Sequence, residues 1–251
     1  MNKVVEIKNV FFGYDQNLVL ENINLDIYEG DYLGIVGPNG SAKSTLLKLM
    51  LNILKPTQGK IEIFGQNIEK FRGWGKIGYV AQKANSFNTS FPATVEEVVG
   101  ANLYSHIGLF RRMNKAHREQ IHEALSVVGM EAYCKRLIGN LSGGQQQKVF
   151  IARALVSAPK VIFLDEPTVG IDLKSQGEFY ELLERLNKEM GITIVMISHD
   201  IGMITEKVSR VACMGDKRLV THHNCCNIPL SEVMTQFYGE QMKLLVHHHH
   251  R

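Results

Sequence analysis

The chain has 251 residues, 45% of them hydrophobic and 21% charged, the balance of a globular protein able to bury its own core. A formal charge of +3, with lysine and arginine spread along the chain, argues against an electrostatic nucleic-acid interface. Four cysteines (Cys134, Cys213, Cys225 and Cys226) and a start without a charged and apolar leader argue against disulfides and secretion and for a reducing cytoplasm. No apolar run nears the roughly eighteen residues that cross a bilayer, so a membrane role would come through a partner.

Val4-Val5-Glu6-Ile7 and Ile23-Asn24-Leu25-Asp26-Ile27 alternate with the period of a half-buried strand, and Tyr32-Leu33-Gly34-Ile35-Val36 reads as a fully buried one. A helix is expected from 43 to about 54, then, past Pro56 and Gly59, strands at 61–64 and 77–80. From 94 to about 158 the period turns helical, with amphipathic stretches near 94–101, 114–128 and 144–157 that predict a helical insert. Strand signals return at 161–164 and 192–197, separated by a helix over 174–189, which is a parallel βαβ pattern.

The chemistry sits at three places. Gly37-Pro38-Asn39-Gly40-Ser41-Ala42-Lys43-Ser44-Thr45 follows a buried strand and opens a helix, and it matches the phosphate-binding loop G-x-x-x-x-G-K-[ST] except that Ala42 replaces the second glycine. In that pattern backbone N–H groups wrap the phosphates, Lys43 neutralises the β and γ phosphates and the Ser44 hydroxyl ligates magnesium. If residue 42 needs a positive φ, alanine costs about 1–2 kcal/mol; if it is already helical, alanine is better than glycine by up to about 1 kcal/mol. Val161-Ile162-Phe163-Leu164-Asp165-Glu166 puts two carboxylates at the carboxyl end of a buried strand, where α/β sheets place ligands. Asp165 is expected to hold magnesium through water and Glu166 to polarise the attacking water. Leu141-Ser142-Gly143-Gly144-Gln145 is a turn in front of a helix, a second anion-binding helix N-terminus. Two phosphate cradles for one nucleotide imply two chains. His199, after the last of these strands, is a candidate γ-phosphate contact.

In their order these motifs resemble the ATP-binding subunit of an ABC transporter, from about Val4 to Gly239. The resemblance implies an α/β fold: a P-loop NTPase core of ABC type with an antiparallel β subdomain and a helical subdomain at about 85–158, in one domain over 1–239, followed by a His-rich tail at 240–251. It implies that Tyr14 stacks on adenine and that Gln82 links the magnesium site to the transmembrane partner. It also implies that Ser142, Gly143, Gly144 and Gln145 face the ATP held by the other protomer, and that Asp172 lies at the dimer interface. ATP and Mg2+ would then be bound by a homodimer that sandwiches two nucleotides and drives a membrane permease dimer, at the cytoplasmic face of the membrane. No nucleic acid is involved in this reading.

Within that family, residues 104–118, with Gly108-Leu109-Phe110-Arg111-Arg112, and the tail around Tyr238-Gly239 look like the zinc, manganese and iron uptake branch. Its cargo would arrive from an extracellular metal-binding protein. Val246-His247-His248-His249-His250-Arg251 resembles zinc-uptake members or else is a purification remnant. His222, His223, Cys225 and Cys226 are further soft ligands for zinc, or else a solvated loop. An iron–sulfur assembly ATPase and a non-hydrolysing nucleotide-binding regulator are the rival readings.

Overall fold

The computed structural model describes residues 2–82, 92–107, 113–199, 202 and 207–223. The expectations placed on 108–112, on Cys225 and Cys226 and on the tail at 240–251 lie outside these residues. The described residues of Met1–Arg72 and Val195–Arg251 form one compact unit, and those of Gly73–Ile194 form another.

The first unit opens with an antiparallel hairpin of β1 (Lys3–Tyr14) and β2 (Asn17–Tyr28). Register Val5↔Ile27, Ile7↔Leu25 and Val10↔Ile23 puts the alternating apolar residues opposite one another, all of them buried. β4 (Gln58–Ile63) adds to the other edge of β1, with β5 (Gln66–Asn67) beyond it, in the order β2-β1-β4-β5. This is the antiparallel sheet that the resemblance implies. Beside it, β3 (Tyr32–Val36) is buried at every residue and feeds α1 (Lys43–Met50). β3 pairs in parallel with β9 (Arg210–Gly215), and β9 pairs antiparallel with β10 (Arg218–His223). On its other side β3 neighbours β8 (Thr193–Ser198), whose residues 195–198 belong to this unit.

Two sequence expectations change here. The helix expected to reach about 54 ends at Met50, because Asn52 takes φ 55 and its N–H donates to Leu49 O at 3.1 Å while Ile53 N–H donates to Lys48 O at 2.9 Å. These two bonds cap the last carbonyls with a left-handed residue after the helix, a Schellman motif with asparagine in the glycine place. His222 lies in a strand opposite Val211, so the solvated-loop alternative does not hold there.

The second unit pairs β6 (Ile77–Val80) with β7 (Val161–Asp165) in parallel. Its helices are α2 (Val95–Gly100), α3 (Tyr104–Ile107), α4 (Lys115–Val127), α5 (Gly143–Leu155) and α6 (Leu173–Lys188). Thr94 with Glu97, Asn114 with His117 and Ser142 with Gln145 form capping boxes, each satisfying donors that the first turn leaves open. Val95, Val99, Ile121, Leu125, Val149 and Phe150 bury the helical faces against one another. Among the described residues no helix is long and apolar enough to cross a membrane.

Candidate functional site

In the first unit the phosphate loop is built by sterics at its start and by backbone conformation at its end. A Cβ on Gly37 would meet Met214 O at 2.3 Å, so the chain can leave β3 here only as glycine. Ala42 takes φ 67 and ψ 24, the left-handed region, which selects the strained alternative of the two open in the sequence. Lys43 is buried, and its Nζ donates to Gly37 O and Pro38 O, each at 2.8 Å, which holds the ammonium inside the loop. Ser41 Oγ is buried without a hydrogen-bond partner from the protein, an orphan that an incoming phosphate oxygen would satisfy if the hydroxyl donates. Pro38, Asn39 and Gly40 are exposed, and Ser44 and Thr45 are half-buried at the start of α1. The Tyr14 hydroxyl lies 3.3 Å from Thr45 Oγ1, and its ring meets Phe12 edge to face with centroids 5.0 Å apart. The hairpin thus brings Tyr14 to the phosphate loop, thirty-one residues on. His199 directly follows β8 and is exposed.

In the second unit the register of β6 with β7 explains the acidic strand end. Val80 pairs with Leu164, so two residues further on Gln82 comes beside Glu166, and its Nε2 donates to Glu166 Oε2 at 2.9 Å. Asp165 is 5% exposed, and Glu166 carries φ 46, a left-handed backbone that a residue with a Cβ rarely adopts. Burial first, and the Asp165 charge second, push the Tyr79 hydroxyl above its usual pKa.

The turn before α5 lies in the same unit. Ser142 Oγ accepts from Gln145 N–H at 3.3 Å and Gln145 Oε1 accepts from Ser142 N–H at 3.0 Å. A Cβ on Gly144 would come within 2.7 Å of Ser175 Cβ, so this glycine lets the start of α5 close on the start of α6. There Asp172 Oδ1 accepts from Ser175 N–H at 3.0 Å, and the bonds from Ser175 hold the Asp172 carboxyl below its ordinary pKa. Gly143 has room for a methyl group, its nearest contact being Gly170 O at 3.6 Å. Packing within the chain therefore does not demand glycine at 143.

Sequence reasoning passed over the side chains that clamp the backbone between Glu166 and Asp172. Gln147 is fully buried and donates to Pro167 O, and Gln176 donates to Ile171 O at 2.8 Å. The signal was the Gln145-Gln146-Gln147 run: an amide inside an apolar helix face is affordable only with a partner.

The profile of the ABC transporter family matches residues 20–169. The chain is 48% identical over 220 residues to the zinc uptake system ATP-binding protein ZurA of Listeria innocua, covering 88% of this chain and 85% of that one. It is 42% identical over 227 residues to the high-affinity zinc uptake system ATP-binding protein ZnuC of Bacillus subtilis, covering 88% and 97%. Among solved structures, an ATP-binding cassette caught as a dimer in a post-hydrolysis state with ADP and Pi superposes with a TM-score of 0.72 at 31% identity, over 87% of this chain and 98% of that one. Its phosphate loop, its acidic strand end and these relatives place the chain in one family: it belongs to the ABC transporters, as one of their ATP-binding, ATP-hydrolysing chains.

Proposed function

We propose that the chain drives import of zinc through a separate integral membrane permease dimer, as a homodimer held peripherally at the cytoplasmic face of the cell membrane. An extracellular metal-binding protein would deliver the cargo. The observation that carries the zinc assignment is the 48% identity with a zinc uptake ATP-binding protein over 88% of the chain. On this reading residues 1–239 are one ATPase domain, and 240–251 a tail beyond all nucleotide chemistry.

The geometry supports the following roles. Lys43, already inside the loop, needs only to exchange the carbonyls of Gly37 and Pro38 for the β and γ phosphates of ATP. Gly37, Pro38, Asn39, Gly40, Ser41, Ala42, Ser44 and Thr45 supply the rest of the cradle, and Tyr14 stacks on adenine. Ser44, Gln82 and Asp165 offer a hydroxyl, an amide oxygen and a carboxylate, the hard oxygen donors that suit Mg2+. Held by such groups, the ion would supply charge neutralisation to the phosphates.

Glu166 orients and polarises the attacking water, with Gln82 fixing the carboxylate. His199 contacts the γ-phosphate, which departs in line. Ser142, Gly143, Gly144 and Gln145 present a helix N-terminus to the nucleotide of the partner protomer, and the unneeded room at Gly143 supports a close approach from outside the chain. Asp172 lies at the dimer interface. Beside it Leu173 is 82% exposed, an apolar residue that a partner protomer would cover.

The test is the metal content of cells lacking this chain. Lowered zinc, with growth in chelated medium rescued by added zinc, is the expected result. Normal zinc with lowered manganese would replace the cargo by manganese, and unchanged metals throughout would discard metal uptake.

A further inference from the structure

Three metal-ligating side chains outside the nucleotide machinery converge in the second unit. Glu96 lies in the first turn of α2, His122 in α4 and Cys134 directly after the 3-10 turn Glu131–Tyr133, and one ligand atom from each lies within 4.8 Å of the others. We propose that Glu96, His122 and Cys134 form a zinc-binding site with three protein ligands and a fourth position open to water.

The backbone holds the three segments before any ion arrives. Glu96 N–H donates to Cys134 O at 3.0 Å and Val95 N–H to Arg136 O at 2.9 Å, which ties the start of α2 to the turn that carries the cysteine. A Cβ on Gly100 would meet Ile121 Cδ1 at 3.0 Å, so α2 and α4 pack in close contact one residue from His122. Lys135 Nζ, 2.5 Å from Glu96 Oε1, takes one carboxylate oxygen and leaves Oε2 facing Cys134 Sγ at 3.3 Å.

The geometry and the donor set agree on the ion. Zn–N and Zn–O near 2.0 Å and Zn–S near 2.3 Å give tetrahedral edges of about 3.3–3.5 Å. The Glu96–Cys134 edge already has that length, and no separation need close by more than about 1.5 Å, which an exposed His122 ring achieves by rotation. A thiolate and an imidazole beside one carboxylate favour zinc over magnesium, calcium or manganese, which prefer oxygen. Binding releases the Cys134 thiol proton to solvent as the S–Zn bond forms. The bound ion would cross-link α2, α4 and the turn. This site stands whether or not the transported cargo is zinc, because it rests on residues of this chain alone.

The experiment uses the full chain with Cys225→Ser, Cys226→Ser and alanine at His247, His248, His249 and His250, so that Cys134 and the buried Cys213 are its remaining thiols. Cobalt(II) should produce a thiolate-to-metal charge-transfer absorption, bleached by one equivalent of zinc and unaffected by an equal concentration of magnesium. Cys134→Ser should remove the absorption. His122→Ala, at an exposed position that does not threaten folding, should weaken zinc binding by at least about tenfold, no less than losing an outer-sphere partner costs. An absent absorption in the parent chain, or zinc affinity unchanged in both His122→Ala and Glu96→Gln, would overturn the site.

Discussion

Gln82 donates its side-chain amide to the Glu166 carboxylate across 2.9 Å, eighty-four residues apart in sequence, because β6 and β7 run parallel in a register that sets the two residues level just past their carboxyl ends. The bond fixes a carboxylate on a strained backbone. Gln82→Ala should lower ATP hydrolysis on the order of tenfold, the loss expected when a general base is no longer aimed, with nucleotide affinity little changed. Steady-state hydrolysis and a nucleotide titration check both.

Glu166→Gln should retain ATP binding and lose at least about a hundredfold in hydrolysis, because the amide is nearly isosteric but is no base. ATP with magnesium should then trap a dimer visible by size-exclusion chromatography. Adding Leu173→Asp to that variant should return it to monomer while costing the isolated chain no more than about 0.5 kcal/mol, since the side chain is 82% exposed. A dimer that persists would remove Leu173 from the interface.

Ala42→Gly should stabilise the protein. Relief of the left-handed strain is worth about 1–2 kcal/mol, offset by about 0.4–1 kcal/mol of added freedom in the unfolded chain. The net gain of up to about 1.6 kcal/mol should raise Tm by up to about 6 °C in a chain of this size. ATP affinity should change by less than about tenfold, as isothermal titration would measure, because Lys43 and its loop are already in place.

Arg210 and Asp31 form an ion pair at 2.5 Å with side chains 9% and 12% exposed, and Arg210 also donates to Asp26 O at 3.0 Å. Arg210→Ala takes the guanidinium from a nearly buried carboxylate that keeps its bond from Tyr28 N–H at 2.9 Å, and should cost about 3 kcal/mol, read as a Tm lower by about 6–12 °C. Pairing it with Asp31→Ala should recover part of that loss, since the second change removes the charge left without its counter-ion.

The loop after β3 and the turn before α5 were legible in the sequence because each is contiguous with the helix it opens, and local sterics and capping act over ten or so residues. The helix caps at Thr94, Asn114 and Ser142 are of the same local kind. Tertiary structure alone decided what depends on two distant segments meeting. That Gly37 is demanded by Met214 and Gly144 by Ser175, and that Gln82 reaches Glu166, all depend on strand register and helix packing, which no local pattern encodes. The meeting of Glu96, His122 and Cys134 is of that second kind: their spacing matches no ligand motif, and only the packing of α2 and the turn against α4 sets a carboxylate, an imidazole and a thiol around one point.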